Sequence, residues 1–443
     1  MLPVDKRTAV LLTATLALIV GLGVNTVYRA AIWPIQRTDF TVYQLAGQAV
    51  LDGADIYQVR NVRGWAYGYP PPFAILMTPF ALLSVFWGAL IWYLISVALI
   101  IWALVMCVRT VRSAFSVDGH LLILLIVPIV LLLVWFMSGL TRGQASVLLM
   151  WLVLAAFCWH WEGHELRGGA CLAGAVLLKV FPIVLLGYFV WRRKWKFLFA
   201  TFATITVGGL ILPGAVFGFK RNLAYWESWG RTIARPALAN ESERAQSGLN
   251  EQLLDPQKSR NQSLMAVLRR LTNNSFAWGA TVFVALAMAG AMWVVGRKTG
   301  EKYELLIGSA VMTWMLLVPP VSETHYFILL LLPLMALLVV AITDPDETTK
   351  RISRWTLIVF CTLVIASAGI RQFEIVGVPC WSTLMVWVAQ LLVVIRHKRL
   401  SVSIASLHAQ AGVVSGGSVF GVGESLGLFV TVKNKLPAVN RLK

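Results

Sequence analysis

The chain has 443 residues, of which 58% are hydrophobic and 13% charged, and its mean hydropathy is +0.75. A soluble globule, with roughly a quarter of its residues charged, is excluded, and so is a membrane β-barrel, because the apolar runs are continuous and do not alternate. The net charge of +18 argues for anionic membrane lipids and against nucleic acid, since Lys and Arg cluster in short stretches beside the apolar runs. The expected fold is an all-α polytopic membrane protein with about ten crossings, and ten to twelve membrane segments in all.

Lys6 and Arg7 precede a first span over 9–27, which is too long for the apolar core of a signal peptide. A polar and aromatic interval, 33–71, follows and carries Asp39. A short apolar piece, 72–83, then leads into a second span over 85–107, closed by Arg109 and Arg112. Positive charge marks the cytoplasmic side, so the interval 33–71 is expected outside. Spans over 121–136 and 145–161 enclose a short external turn at 138–144.

The stretch 168–191 is apolar, yet basic residues flank it on both sides, with Arg192, Arg193, Lys194 and Lys196 at its end. A re-entrant hairpin that turns at Lys179-Val180-Phe181-Pro182 accommodates both flanks. A plain crossing would reverse the sense of every later segment. On the hairpin reading, spans over 198–217, 276–295, 305–318, 326–341, 355–370 and 381–395 follow, with a large external loop at 219–270. That loop is itself basic, which the topology rule disfavours unless its charges meet an anion. Residues 1–397 form the membrane domain, and 398–443, rich in Gly and Ser, are expected as a cytoplasmic tail without fixed structure.

This topology brings Asp39, Arg142 to Gln144, Arg260 to Ser263, Glu323 and His325 to one external face. Cysteines 107, 158, 171, 361 and 380 show no metal-binding spacing, and no acidic pair in the first loop suggests a metal site. A carboxylate with nearby cations suits transfer of a group from a phosphate to a hydroxyl. The carboxylate serves as base, and the cations stabilise a departing phosphate.

The ordered series TDFxVYxxAGxAxLxGxDIY, YPPPF, GQ, LKVFP, NQS and PPVSETHY, from Asp39 to Leu332, resembles glycosyltransferase family 87, membrane glycosyltransferases of the GT-C class. The resemblance implies a polyprenyl-phosphate sugar donor, carrying mannose or arabinose, and catalysis on the extracytoplasmic face of the plasma membrane. It also implies that the acid of the first external loop is the base. Asp39 matches that acid, and His325 matches a late histidine near the same site. A β-linked donor displaced once, in line, gives an inverted, α-linked product. Contacts to the donor phosphate or the substrates are expected from Arg142, Gln144, Arg244, Arg260, Asn261, Lys179 and Tyr69. The expected partners are the donor lipid, a lipid or glycan acceptor and the surrounding membrane, and no cofactor is expected. The alternative is a carrier or flippase for lipid-linked sugars; the chain shows neither the internal repeat nor the several midplane charges common in carriers.

Overall fold

The computed structural model describes residues 6–235, 259–272, 276–297 and 299–416. All regular structure there is helical, apart from two isolated β-bridges, Arg60 with Ala66 and Asn261 with Glu323. Eight helical segments are long and apolar enough to cross a bilayer: Thr13–Ile32, Val85–Phe115, Leu121–Thr141, Trp195–Phe217, Ala277–Val295, Thr324–Thr343, Glu347–Gly369 and Val378–Ser401. The protein is a multi-pass membrane protein, because only self-satisfied helical backbone is stable at that length in lipid.

In chain order, α1 (Lys6–Val27) ends in a π-helical turn, Tyr28–Ile32, and α2 (Phe40–Leu51) lies within the polar interval. The apolar piece after it forms two short helices, α3 (Pro71–Leu76) and α4 (Thr78–Ala81). α5 (Val85–Phe115) starts where the Ser84 hydroxyl accepts from the Trp87 amide, and it stops at Ser116, whose φ of 53° is left-handed. α6 (Leu121–Thr141) and α7 (Ser146–Trp161) come next, then α8 (Glu165–Leu178). Lys179 is extended, with φ −147° and ψ 126°. The chain resumes as a 3-10 turn, Phe181–Leu185, containing Pro182, and as α9 (Leu186–Trp191).

The two ends of this excursion lie together, with Lys194 Nζ 3.3 Å from Glu165 Oε1. α8 fits closely against α10 (Trp195–Thr206), since a Cβ on Gly169 would fall 2.2 Å from the Phe197 carbonyl oxygen. A π-helical turn and α11 (Leu212–Phe217) complete the segment begun by α10, and α12 (Phe219–Trp229) follows. After the undescribed stretch come α13 (Leu264–Thr272), α14 (Ala277–Val295) and α15 (Glu301–Leu317). The 3-10 turn Thr324–Leu330 runs into α16 (Leu331–Thr343), and α17 (Glu347–Gly369), α18 (Arg371–Ile375) and α19 (Val378–Gly416) end the fold. α7 and α15 stand at the two expected crossings that lack a long apolar helix.

The core surrounds α16: the span containing it is 89% buried, against 22% for the first span and for α14. Two contact groups gather the connecting segments of residues 1–396. In one, Arg192 meets Glu304 at 2.7 Å, Lys302 meets Asp344 at 3.6 Å and Arg396 donates to Asp346 at 2.9 Å. The other contains Asp39, Arg142, Asn261 and Glu323. Beyond Arg396 a second unit begins at His397. There α19 remains helical to Gly416, so the first part of the expected unstructured tail is a helix, and 417–443 lie outside the described residues.

Candidate active site

Asp39 stands at the N-cap of α2, a position where the helix dipole favours a carboxylate. Its amide donates to the Arg142 carbonyl at 2.8 Å, and the Gln144 side-chain amide donates to Asp39 Oδ2. The short segment after α6 therefore grips Asp39 by backbone and by side chain. Gly143 makes that grip feasible. Its φ is +61°, and a Cβ there would fall 2.9 Å from the Phe40 Cβ, so any other residue would strain the turn and crowd the start of α2. Trp92 Nε1 donates to the Gly143 carbonyl at 3.1 Å, and the Phe40 ring packs near Phe80 and Trp92 at 6.0 and 6.3 Å.

The Gln144 amide is oriented in turn. Tyr43 donates to Gln144 Oε1 at 3.4 Å, and the Tyr43 and Tyr69 hydroxyls lie 2.8 Å apart. This arrangement directs the amide nitrogen toward Asp39. Lys179, at the break after α8, donates to the Tyr326 hydroxyl. Its ammonium stands 4.3 Å from the Tyr326 ring centre and 4.7 Å from that of Tyr69.

Beside Asp39 lies a cavity of about 500 Å³ lined by five arginines, Arg29, Arg37, Arg63, Arg142 and Arg260, together with Trp65, Val134, Met137, Ser138 and Thr141. Among the described residues none of the five arginines forms an ion pair with an acidic side chain. Burial and the neighbouring Arg260 charge lower the Arg142 pKa, against the opposing pull of Asp39 and Glu323. The Asp39 carboxyl is half-buried and is pushed up to about 7. Loss of solvation is the main cause and the nearby Glu323 charge the next, opposed by Arg142, Lys179 and Arg63. A carboxyl that titrates near neutrality is matched to general-base work. Tyr69 is held above the ordinary phenol range, chiefly by burial, and so remains a neutral donor.

The structure brings Arg142, Gln144, Lys179 and Tyr69 around Asp39 and sets Arg260 in the adjoining cavity, but it gives Asn261 a different task. Asn261 is 4% exposed. Its Oδ1 accepts from the Ser322 and Ser263 amides at 3.0 and 3.2 Å, and its Nδ2 donates to the Pro320 carbonyl at 3.1 Å. It ties two connecting segments together, and the buried amide has no room for the glycan that NQS could signal on a surface. His325 is 1% exposed, with Nδ1 3.3 Å from Glu323 Oε2, although neither ring nitrogen has an aligned hydrogen bond. It adjoins Glu323, whose charge bears on Asp39, while no direct His325 to Asp39 contact occurs. Arg244 lies outside the described residues.

Sequence reasoning missed Arg29, Arg37 and Arg63. Arg29 and Arg37 flank the end of the first span, which topology alone explains, and no spacing signals that they meet Arg142 and Arg260 in space. Tyr43 was also missed, although its place four residues after Asp39 puts it on the same side of α2.

A carboxylate beside a cationic cavity, in a bundle of membrane helices, suits an anionic substrate met at the membrane. The chain belongs to glycosyltransferase family 87, whose sequence profile matches residues 67–320. It is therefore a membrane glycosyltransferase. The matched region includes Tyr69, Arg142, Gln144, Lys179, Arg260 and Asn261, while Asp39 and His325 lie outside it. The chain is similar to a polyprenol-phosphate-mannose-dependent alpha-(1-2)-phosphatidylinositol mannoside mannosyltransferase of Mycolicibacterium smegmatis, 28% identical over 322 residues, covering 67% of this chain and 68% of the relative. The protein of the same description from Mycobacterium tuberculosis is 27% identical over 316 residues, with 67% and 68% covered. No solved structure matches the chain significantly.

Proposed function

We propose that the protein transfers a hexose, mannose, from a polyprenyl-phosphate donor to a hydroxyl of a lipid- or glycan-type acceptor, with inversion and with Asp39 as general base. Asp39 takes the acceptor's proton as the acceptor oxygen bonds to the anomeric carbon. The bond from that carbon to the phosphate oxygen breaks, and its electron pair stays on the phosphate. The leaving phosphate thereby gains one negative charge, which the arginine cavity stabilises more than it stabilises the bound donor. Gln144 holds the carboxylate in place, and Lys179 adds positive charge from the other side. His325 acts beside Glu323, at the edge of the site.

The observation that carries this reading is the Asp39 carboxyl, held by Gln144 beside a cavity lined by five arginines that form no ion pair among the described residues. The mannose donor is supported by the descriptions of both relatives. The proposed setting is the plasma membrane, with the site facing outward and 168–191 re-entering the bilayer. The contact between Glu165 and Lys194 supports the hairpin, because it joins the two ends of that stretch. The test is transfer from polyprenyl-phosphate mannose by the purified, folded Asp39→Asn protein. A loss of at least about a hundredfold is expected for a missing base, and unchanged turnover would remove Asp39 from that role. Labelling of a cysteine placed at Ser322 by a reagent added outside checks the orientation; protection there would overturn it.

A further inference from the structure

The arginine cavity extends beyond the charged mouth. Its floor is formed by one face of α6, where Val134, Met137 and Thr141 are half-buried at steps of three and four residues. Such steps place side chains in a row along a helix. Extended toward the start of α6, the same face carries Val130, 53% exposed, half-buried Val127 and Ile123, 42% exposed. The other face, with Leu131, Leu132, Trp135 and Phe136, is buried in the core. Val134 lies seven residues before Thr141, so the floor descends about 10 Å along the helix from the arginines. A continuous apolar track thus runs from the bilayer-facing surface of α6 into a pocket whose mouth carries five unpaired positive charges.

We infer that this face of α6 is the seat of the isoprenoid chain of the lipid-phosphate donor, which enters sideways from the bilayer and stops when its phosphate meets the arginines. The inference rests on the proposed function and deepens it. The occupant must be anionic at one end and apolar over the length of the track, and its head must fit beside Asp39. A free sugar phosphate satisfies the cavity mouth but leaves the apolar floor unfilled. A lipid without a phosphate fills the floor and leaves the arginines uncompensated, at the energetic cost of crowded, partly desolvated cations. Val134 and Met137 are therefore specificity-determining residues for the lipid portion of the donor.

The experiment compares a long-chain polyprenyl-phosphate mannose with a short, water-soluble prenyl-phosphate mannose. Bulk is added to the floor by Val134→Phe and by Met137→Trp. The ratio of kcat/KM for the long donor to that for the short one should fall at least about tenfold, the worth of two buried methylenes. Turnover of both donors with an unchanged ratio overturns this inference alone. Failure of the wild-type enzyme with both donors overturns the functional reading as well. A second measurement needs no variant: a photoreactive polyprenyl phosphate, activated on the wild-type protein in vesicles, should label residues between 130 and 141. Labels confined to other helices, or labelling suppressed by ordinary anionic phospholipid and not by unlabelled polyprenyl phosphate, would overturn the assignment.

Discussion

The pH dependence of transfer should report Asp39 directly. With the carboxyl titrating at about 7, kcat/KM rises tenfold per pH unit below that value, because only the ionised form accepts the acceptor's proton. At pH 5 about one molecule in a hundred carries the base, and activity should be about a hundredfold below its plateau. The Gln144→Leu substitution deletes the amide that donates to Asp39 Oδ2. A hydrogen bond to a charged acceptor contributes about 1.5–3 kcal/mol, and each pKa unit corresponds to about 1.4 kcal/mol. The midpoint should therefore move up by roughly one to two units, because the lost donor had favoured the charged form. At pH 7, where half of the wild-type carboxyls are ionised, the variant should be about five- to fiftyfold slower, with most of the loss regained at higher pH. The assay is steady-state transfer from the polyprenyl-phosphate donor at subsaturating concentration, from pH 5 to 9.5. A wild-type profile flat between pH 5 and 8, or a Gln144→Leu midpoint unchanged or lowered, would refute the reasoning.

The same shift implies a stability effect of opposite sign: with a folded pKa above the unfolded value of 3.8, Asp39 stabilises the fold most at low pH and loses that contribution as pH rises through about 7. Asp39→Asn should accordingly melt higher than wild type at pH 8 while transferring little sugar. Gly143→Ala should cost about 1–3 kcal/mol in thermal unfolding and reduce kcat, since its Cβ strains a left-handed turn and presses on Phe40. Tyr43→Phe removes the hydroxyl that orients Gln144. It should raise the profile midpoint with little change in donor KM, whereas a purely structural role would leave the midpoint in place. Asn261→Ala strands the buried Ser322 and Ser263 amides and should lower stability by about 1–3 kcal/mol, without altering the long-to-short donor ratio.

The helical membrane fold was legible because continuous apolar runs have one stable outcome in lipid. Motif order singled out Asp39 in the first loop, and the structure sets it against Arg142 and Gln144. The arginine cavity was not legible, since Arg29, Arg37, Arg63, Arg142 and Arg260 come from four separate stretches and each alone reads as a residue beside a span. Asn261 misled for a related reason: NQS describes a polar triplet without saying whether its amide meets a ligand or backbone, and here it meets the backbone of Pro320 and Ser322. Gly143-Gln144 was too short to weigh by itself. Its meaning depends on the approach of Phe40, more than a hundred positions earlier in the chain.

The excursion from Glu165 to Lys194 works as a ruler. α8 has 14 residues, about 21 Å of helix, and its far end delivers Lys179 to the tyrosines beside Asp39, while its near end is held by the contact between Glu165 and Lys194. Inserting one residue in α8 would turn the tip by about 100° and advance it about 1.5 Å. The length of this helix is thus under the same constraint as the identity of Lys179 itself, and a change there reaches the site without touching any residue that lines it.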